Sequence, residues 1–233
     1  MRMLYDQAKA DPWFRRFAIF CRVTLAASFL PTGFVKIMGQ RFAEGLPHNN
    51  PLGHYFDALL QTGYYYTFIG ITQIVIAVLL LIPRTALLGA IMYFPLIINI
   101  TVLTYATRFD GTRLITMMLL GCIYLLIWDY DRLKSLLPIK QSPAPSFERT
   151  ASTGRFRLYF FGGVFTILAF IIGGTFYLYE ITPGNEEAEC RNQCPSSKNP
   201  KACQVFCDCI YKKGQPLDSS LATYKKAKDQ RHP

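Results

Sequence analysis

The sequence predicts an all-α membrane protein: an up-down four-helix transmembrane bundle, a fifth transmembrane helix and a small disulfide-stapled helical hairpin. Three observations predict it. The 233 residues are 51% hydrophobic and 15% aromatic, more apolar than the ~45–50% (glycine included) of ordinary soluble domains. The apolar residues fall into five long blocks joined by short polar connections. Five of the seven cysteines crowd into one polar stretch, "ECRNQCPSSKNPKACQVFCDC", from Glu189 to Cys209.

The blocks are Phe17–Met38, Gly63–Ile82, Thr85–Ala106, Arg113–Trp128 and Leu158–Tyr179. A helix crossing the hydrocarbon core needs roughly 20 apolar residues, with a lower limit near 17. The fourth block sits at that limit. Little polar sequence is left to cover five such helices in a soluble core, so the bilayer is the expected solvent. The first block is too long for the apolar region of a signal peptide, and no small-residue cleavage site follows it.

Residues 1–16 read as a cytoplasmic arm ending in "DPWFRRF", an aromatic and paired-arginine anchor for the interface. Residues 17–137 hold the four-helix bundle. Within it, Pro83-Arg84 and "TRFDGT" make tight turns, which force antiparallel neighbours. The longer connection Gly39–Thr62 centres on Pro-His-Asn-Asn-Pro turn chemistry. It carries His48 and His54, read as solvated loop residues, and a short apolar helix over His54–Gln61. Residues 138–156, "KQSPAPSFERTASTG" among them, read as a cytoplasmic linker. Residues 157–180 form the fifth span, where Gly162, Thr166, Ala169 and Gly173 make a small-residue stripe suited to close helix contact in lipid. Residues 181–233 are the exocytoplasmic Cys-rich tail, which ends in a lysine-rich, weakly helical Leu217–Gln230 read as disordered or as lying on a partner.

The net charge of +10 is placed topologically. Arg2, Lys9, Arg15 and Arg16 precede the first span. Arg84 follows the second. Arg132, Lys134, Lys140, Arg149, Arg155 and Arg157 lie between the fourth and fifth. The opposite loops hold Arg41 and Arg108, with Lys36 and Arg113 at span ends. The positive-inside rule then puts the N terminus in the cytoplasm and, after five spans, the C terminus outside. The expected location is a bacterial inner (cytoplasmic) membrane. No base-reading or stacking motif accompanies the charge, so nucleic acid is excluded as a partner.

Polar residues within apolar spans are the first place to look for function. Lys36 shares a helix face with Thr32 just after Pro31. Gln73 lies mid-span in the second block, Asn99 follows Pro95 in the third, and Arg113 and Thr116 open the fourth. Under the N-in topology nearly all of the polar residues within spans fall in the outer half of the membrane. Lys36, Gln73, Asn99, Arg113 and Thr116 are therefore the candidate lining of an outward-opening cavity. The alternative is that they hydrogen-bond across helices, or snorkel, with no ligand.

"FLPTGFVKIMGQRF" in span one, "FIGITQIVIAVLLLIPRTALLGAIMYFPLIINI" across spans two and three, and "GTRLITMMLLGCIYLLIWDYDRL" in span four together resemble the DoxX-like family of small bacterial four-helix membrane proteins. The resemblance covers roughly Arg16–Leu137 and is strongest at Gly33 and Lys36 of "GFVK". It implies a four-helix fold and a link to thiol, sulfur and quinone redox complexes. The fifth span and the cysteine tail depart from the four-helix pattern.

In the tail, Cys190 and Cys194 are four apart, as are Cys203 and Cys207, and each pair shares a helix face. Pro195 and Pro200 bracket a turn between the two helices. An antiparallel hairpin would pair Cys190 with Cys207 and Cys194 with Cys203. Use of Cys209 in place of Cys207 is the alternative, and sequence alone leaves it open. The spacing is poor for zinc and contains no Cys-x-x-Cys, so no metal is expected. Cys21 and Cys122 read as apolar fillers within spans.

No nucleophile–base pair and no cofactor motif is present, and no cofactor is predicted. The reading is a non-catalytic subunit or scaffold of a bacterial envelope complex, with the bilayer and other membrane or periplasmic subunits as partners. The alternative is a redox component, with a quinone or small sulfur compound in the outer half of the bundle and a thiol-active tail.

Overall fold

The computed structural model describes residues 2–136 and 154–229. The expected linker lies mostly outside the described residues. Every described element is helical. Four helices contain stretches long and apolar enough to cross a membrane: α2 (Pro12–Ile37), α4 (Tyr64–Leu81), α5 (Ala86–Ala106) and α8 (Gly154–Leu178), the last over Phe156–Gly174. The helix α6 (Thr112–Trp128) is apolar but has only 17 residues. At 1.5 Å per residue it spans about 25 Å, short of the ~30 Å core.

The first span begins earlier than the block pattern predicts. Asp11 accepts a hydrogen bond from the Trp13 amide and caps α2, and Pro12 occupies its first turn, where a missing N–H costs nothing. The "DPW" turn is thus a helix start. The arm before it is itself helical, α1 (Arg2–Ala10).

α2, α4, α5 and α6 close a ring, with contacts α2–α4, α4–α5, α5–α6 and α6–α2. Their shared core includes Leu25, Phe29, Ile76, Leu80, Tyr93, Ile97 and Cys122. Phe29 stacks on Tyr93 at 4.1 Å between ring centroids, and the Tyr93 hydroxyl meets Ser28 Oγ at 3.2 Å. The tightest crossing is α2 on α4. A Cβ on Gly70 would sit 2.7 Å from the Gly33 carbonyl oxygen, and one on Gly33 2.8 Å from that of Gly70. No real Cβ survives such a contact, so both glycines are required for the backbones to approach this closely.

We call the end where α2 starts proximal and the other distal. At the proximal end Asp129 joins Arg22 (3.3 Å) and Lys9 (3.8 Å), tying α1 and α2 to the end of α6. A short helix, α7 (Tyr130–Leu136), follows. α8 leaves the same end and packs there by aromatic contact, with Phe14 against Phe160 (4.7 Å) and Phe156 (5.6 Å). Further along, Gly162, Gly163, Gly173 and Gly174 have open space where a side chain would be.

At the distal end, α3 (Pro51–Leu60) belongs to the connection between α2 and α4, capped by Asn50. The Cys-rich tail folds into α9 (Glu187–Asn192), a 3-10 turn (Cys194–Ser196), α10 (Pro200–Tyr211) and α11 (Leu217–Asp229). It has its own core of Ile181, the bonded cysteines, Phe206, Ile210, Leu217 and Tyr224. The tail is therefore larger than a hairpin. α11, expected to be disordered or on a partner, packs back on α10 with Tyr224 buried near Phe206.

Candidate functional site

The five residues expected to line one cavity are distributed over three places. Lys36 and Gln73 come together at the glycine crossing. A Cβ on Gly70 would touch the Lys36 side chain at 2.8 Å, and one on Gly33 that of Gln73 at 3.4 Å. Both are 5% exposed. Lys36 Nζ donates to the Thr32 carbonyl (3.1 Å) and lies 4.2 Å from the centroid of the Phe42 ring and 5.9 Å from that of Tyr66. That is a cation held by π faces and one carbonyl. Gln73 Oε1 is buried with no hydrogen-bond partner among the described residues. Asn99 lies apart, exposed on α5. Arg113 and Thr116 sit together on α6. Thr116 bonds the Thr112 carbonyl (2.7 Å) and meets the Tyr105 hydroxyl (3.2 Å). Lys36 and Gln73 can seal a helix crossing around one charge.

Above them sits a cluster that the polar-in-span rule misses, because it lies in a loop. Arg41 Nε bonds Asp57 Oδ1 (2.5 Å), and its Nη1 donates to the carbonyls of Leu46 (2.6 Å) and Ala43 (3.2 Å). His48 Nδ1 meets the other Asp57 oxygen at 2.7 Å. Burial works to raise the Asp57 carboxyl, but the hydrogen bonds from His48 and Arg41 outweigh it and hold the group below its ordinary value. Tyr66, in the first turn of α4, is buried. Its hydroxyl donates to the Gln40 carbonyl (2.8 Å) and accepts from the Phe42 amide (3.0 Å). His54 is exposed.

This organised loop is the platform on which the tail docks. Asn49 Nδ2 donates to the Tyr211 carbonyl (2.7 Å), and Asn50 Nδ2 to the Gly184 carbonyl (2.9 Å) and the Tyr211 hydroxyl (3.1 Å). The Tyr211 hydroxyl donates in turn to the Pro183 carbonyl (3.0 Å). Burial pushes this phenol up to about 12. From the α5–α6 turn, Arg108 Nη1 donates to the Ile181 carbonyl (2.8 Å), and its guanidinium lies over the Tyr179 ring. Arg108 has a positive φ of 53°, and the next amide bonds back to Thr104. This helix-ending turn aims its side chain at the tail. Asn49 and Asn50 had a weak signal, the Pro-His-Asn-Asn-Pro turn, but nothing in it named Tyr211 as a partner.

Within the tail, Cys190 lies at bonding distance from Cys207 and Cys194 from Cys203, and Cys209 is buried and unbonded. The sulfurs of Cys194, Cys203 and Cys207 fall within 4.8 Å of one another because the two bonds stack. Arg191 bridges Glu187 (2.8 Å) and Asp208, clamping α9 to α10.

A Bacillus subtilis protein described as the uncharacterized protein YwoB is 35% identical to this chain over 130 residues, covering 54% of this chain and 83% of YwoB. The chain belongs to the YwoB family. Its YwoB relative brings no stated activity, so function has to be argued from geometry. No family model and no solved structure matches the chain.

Proposed function

We propose that this YwoB-family protein is a non-catalytic integral membrane subunit or scaffold of a bacterial envelope complex. In this reading the proximal end faces the cytoplasm, and the Cys-rich domain stands on the outer face. α8 and that domain meet the partner. The observation that carries the reading is the state of α8. None of its most apolar stretch is buried within the chain, against 33–39% for the other three long spans. It touches the bundle mainly at its proximal aromatics and leaves four glycines open beyond them. In lipid, helix association depends on close packing of small residues, and an open glycine face is suited to receive a second helix. The tail supports the same reading, since it is fastened to the bundle by Asn49, Asn50 and Arg108 and would hold a fixed orientation toward a partner. The two disulfides suit an oxidising compartment, and the four-helix ring fits the DoxX-like resemblance.

The test is purification from its own membrane in a mild detergent. The protein should elute with a larger assembly, and Gly162→Leu with Gly173→Leu should release it as a folded single chain. A monodisperse monomer from the unaltered protein would sink the proposal.

A further inference from the structure

The proximal end holds a groove that the partner reading does not use. It lies between the first turns of α2 and α8 and has a volume of about 760 Å³. Arg16 and Arg157 line it together with Trp13, Phe17, Phe20 and Leu158. Its chemistry is ordered by depth. α2 and α8 leave the proximal end in the same direction, since Asp11 meets Arg157, Phe14 meets Phe160, and Phe17 meets Phe160 and Phe161. Both arginines therefore sit near the mouth. Phe20 lies one turn further in, about 6 Å along the helix from Arg16. Trp13, Phe20 and Leu158 are exposed.

The charges at the mouth do not cancel. Arg157 Nε lies 3.0 Å from Asp11 Oδ2, and the other Asp11 oxygen caps the Trp13 amide, so this buried carboxylate is committed to its own helix start. Arg16 stacks over the Trp13 ring at 5.5 Å and makes no ion pair among the described residues. One cation is left facing an apolar trough. An apolar helix laid there would bury that cation without a counter-charge, which is costly. A lipid with a zwitterionic headgroup brings its own cation.

We infer that this groove binds one anionic phospholipid, with its phosphate at Arg16 and Arg157 and an acyl chain along Phe17, Phe20 and Leu158. The inference needs only that the chain is embedded in lipid, and stands or falls apart from the partner proposal.

The chain has two tryptophans, and Trp128→Phe leaves Trp13, inside the groove, as the sole tryptophan, excited selectively over the tyrosines. The full chain in neutral detergent is titrated with phosphatidylglycerol or phosphatidylcholine brominated on the acyl chains. Quenching by phosphatidylglycerol should reach half-effect at about fivefold lower mole fraction, the scale of one basic residue at an anionic surface. Arg16→Gln should abolish that preference and Arg16→Lys should keep it. Arg84→Gln, an equal loss of charge at the exposed α4–α5 turn, should leave it unchanged. Equal quenching by the two lipids, or a preference that survives Arg16→Gln, would overturn the inference. So would a groove that cross-linking finds filled by the α8 of a second copy.

Discussion

Asp57 is the residue on which the distal loop turns, because two oxygens hold two segments. One oxygen takes Arg41, which in turn collects the carbonyls of residues 43 and 46, and the other takes His48. Its carboxyl is held below its ordinary value, so it binds protons less readily folded than unfolded. The stability it contributes is complete above the unfolded-chain value near ~4 and is lost as pH falls through the lower folded value. Amide exchange over residues 41–57, corrected for intrinsic rates, should therefore stay slow down to about pH 4 and quicken below it. Asp57→Asn should exchange faster at every pH and lose that acid step. An acid step unchanged in Asp57→Asn would remove Asp57 from the role. None of this was legible beforehand, because Arg41 and Asp57 are ordinary loop charges until the chain brings them together.

At the scale of elements, the tail is where sequence pattern said most and still left a gap. The four-residue spacings put Cys190 with Cys194 and Cys203 with Cys207 on single helix faces, and those faces meet. Cys209 is two residues beyond Cys207, about 200° around α10, so it cannot share that face. The packing of α11 on its own chain was missed because lysines hide it, although Leu217, Leu221 and Tyr224 follow the i, i+4, i+7 pattern of a packed helix. The six-residue α9 is far too short to persist alone. Its place depends on the crosslinks and the Arg191 clamp. The Cys190–Cys207 bond closes a separation of 17 residues, for which loop-closure entropy gives about 3 kcal/mol. Replacing both with serine should make the tail protease-sensitive in detergent at temperatures where the bundle stays folded. Cys209→Ala should leave it resistant. Equal resistance of the double variant would mean that the helices hold without the bond.

For the whole molecule, the long apolar helices were legible because length and hydropathy decide what can cross a bilayer, and short turns account for the α4–α5 and α5–α6 contacts. The site was not, since hydropathy says which residues lie within a span but not which way each faces. Asn99 is exposed while Gln73, as polar and as deep in its block, is buried. Orientation is a further property of the whole chain, set by basic residues close to the spans. Among the described residues, the proximal segments carry Arg2, Lys9, Arg15, Arg16, Arg84, Arg132, Lys134, Arg155 and Arg157, whereas the distal loops between spans carry Arg41 and Arg108. The lysines of the tail argue the other way in number but not in effect. They belong to a separately folded unit beyond the last span, and such units cross largely regardless of charge. α6 is the weak point, since a 17-residue helix at the length limit decides whether the crossings are odd or even. Alkaline phosphatase, which is active only when exported, gives a direct reading. Fused after Asp229 it should be active, and fused after Trp128 inactive. Fused after Phe109, in the α5–α6 turn, it should again be active. Activity after Trp128 together with Phe109 would mean that α6 does not cross, and the tail would then lie in the cytoplasm, where its disulfides would not persist.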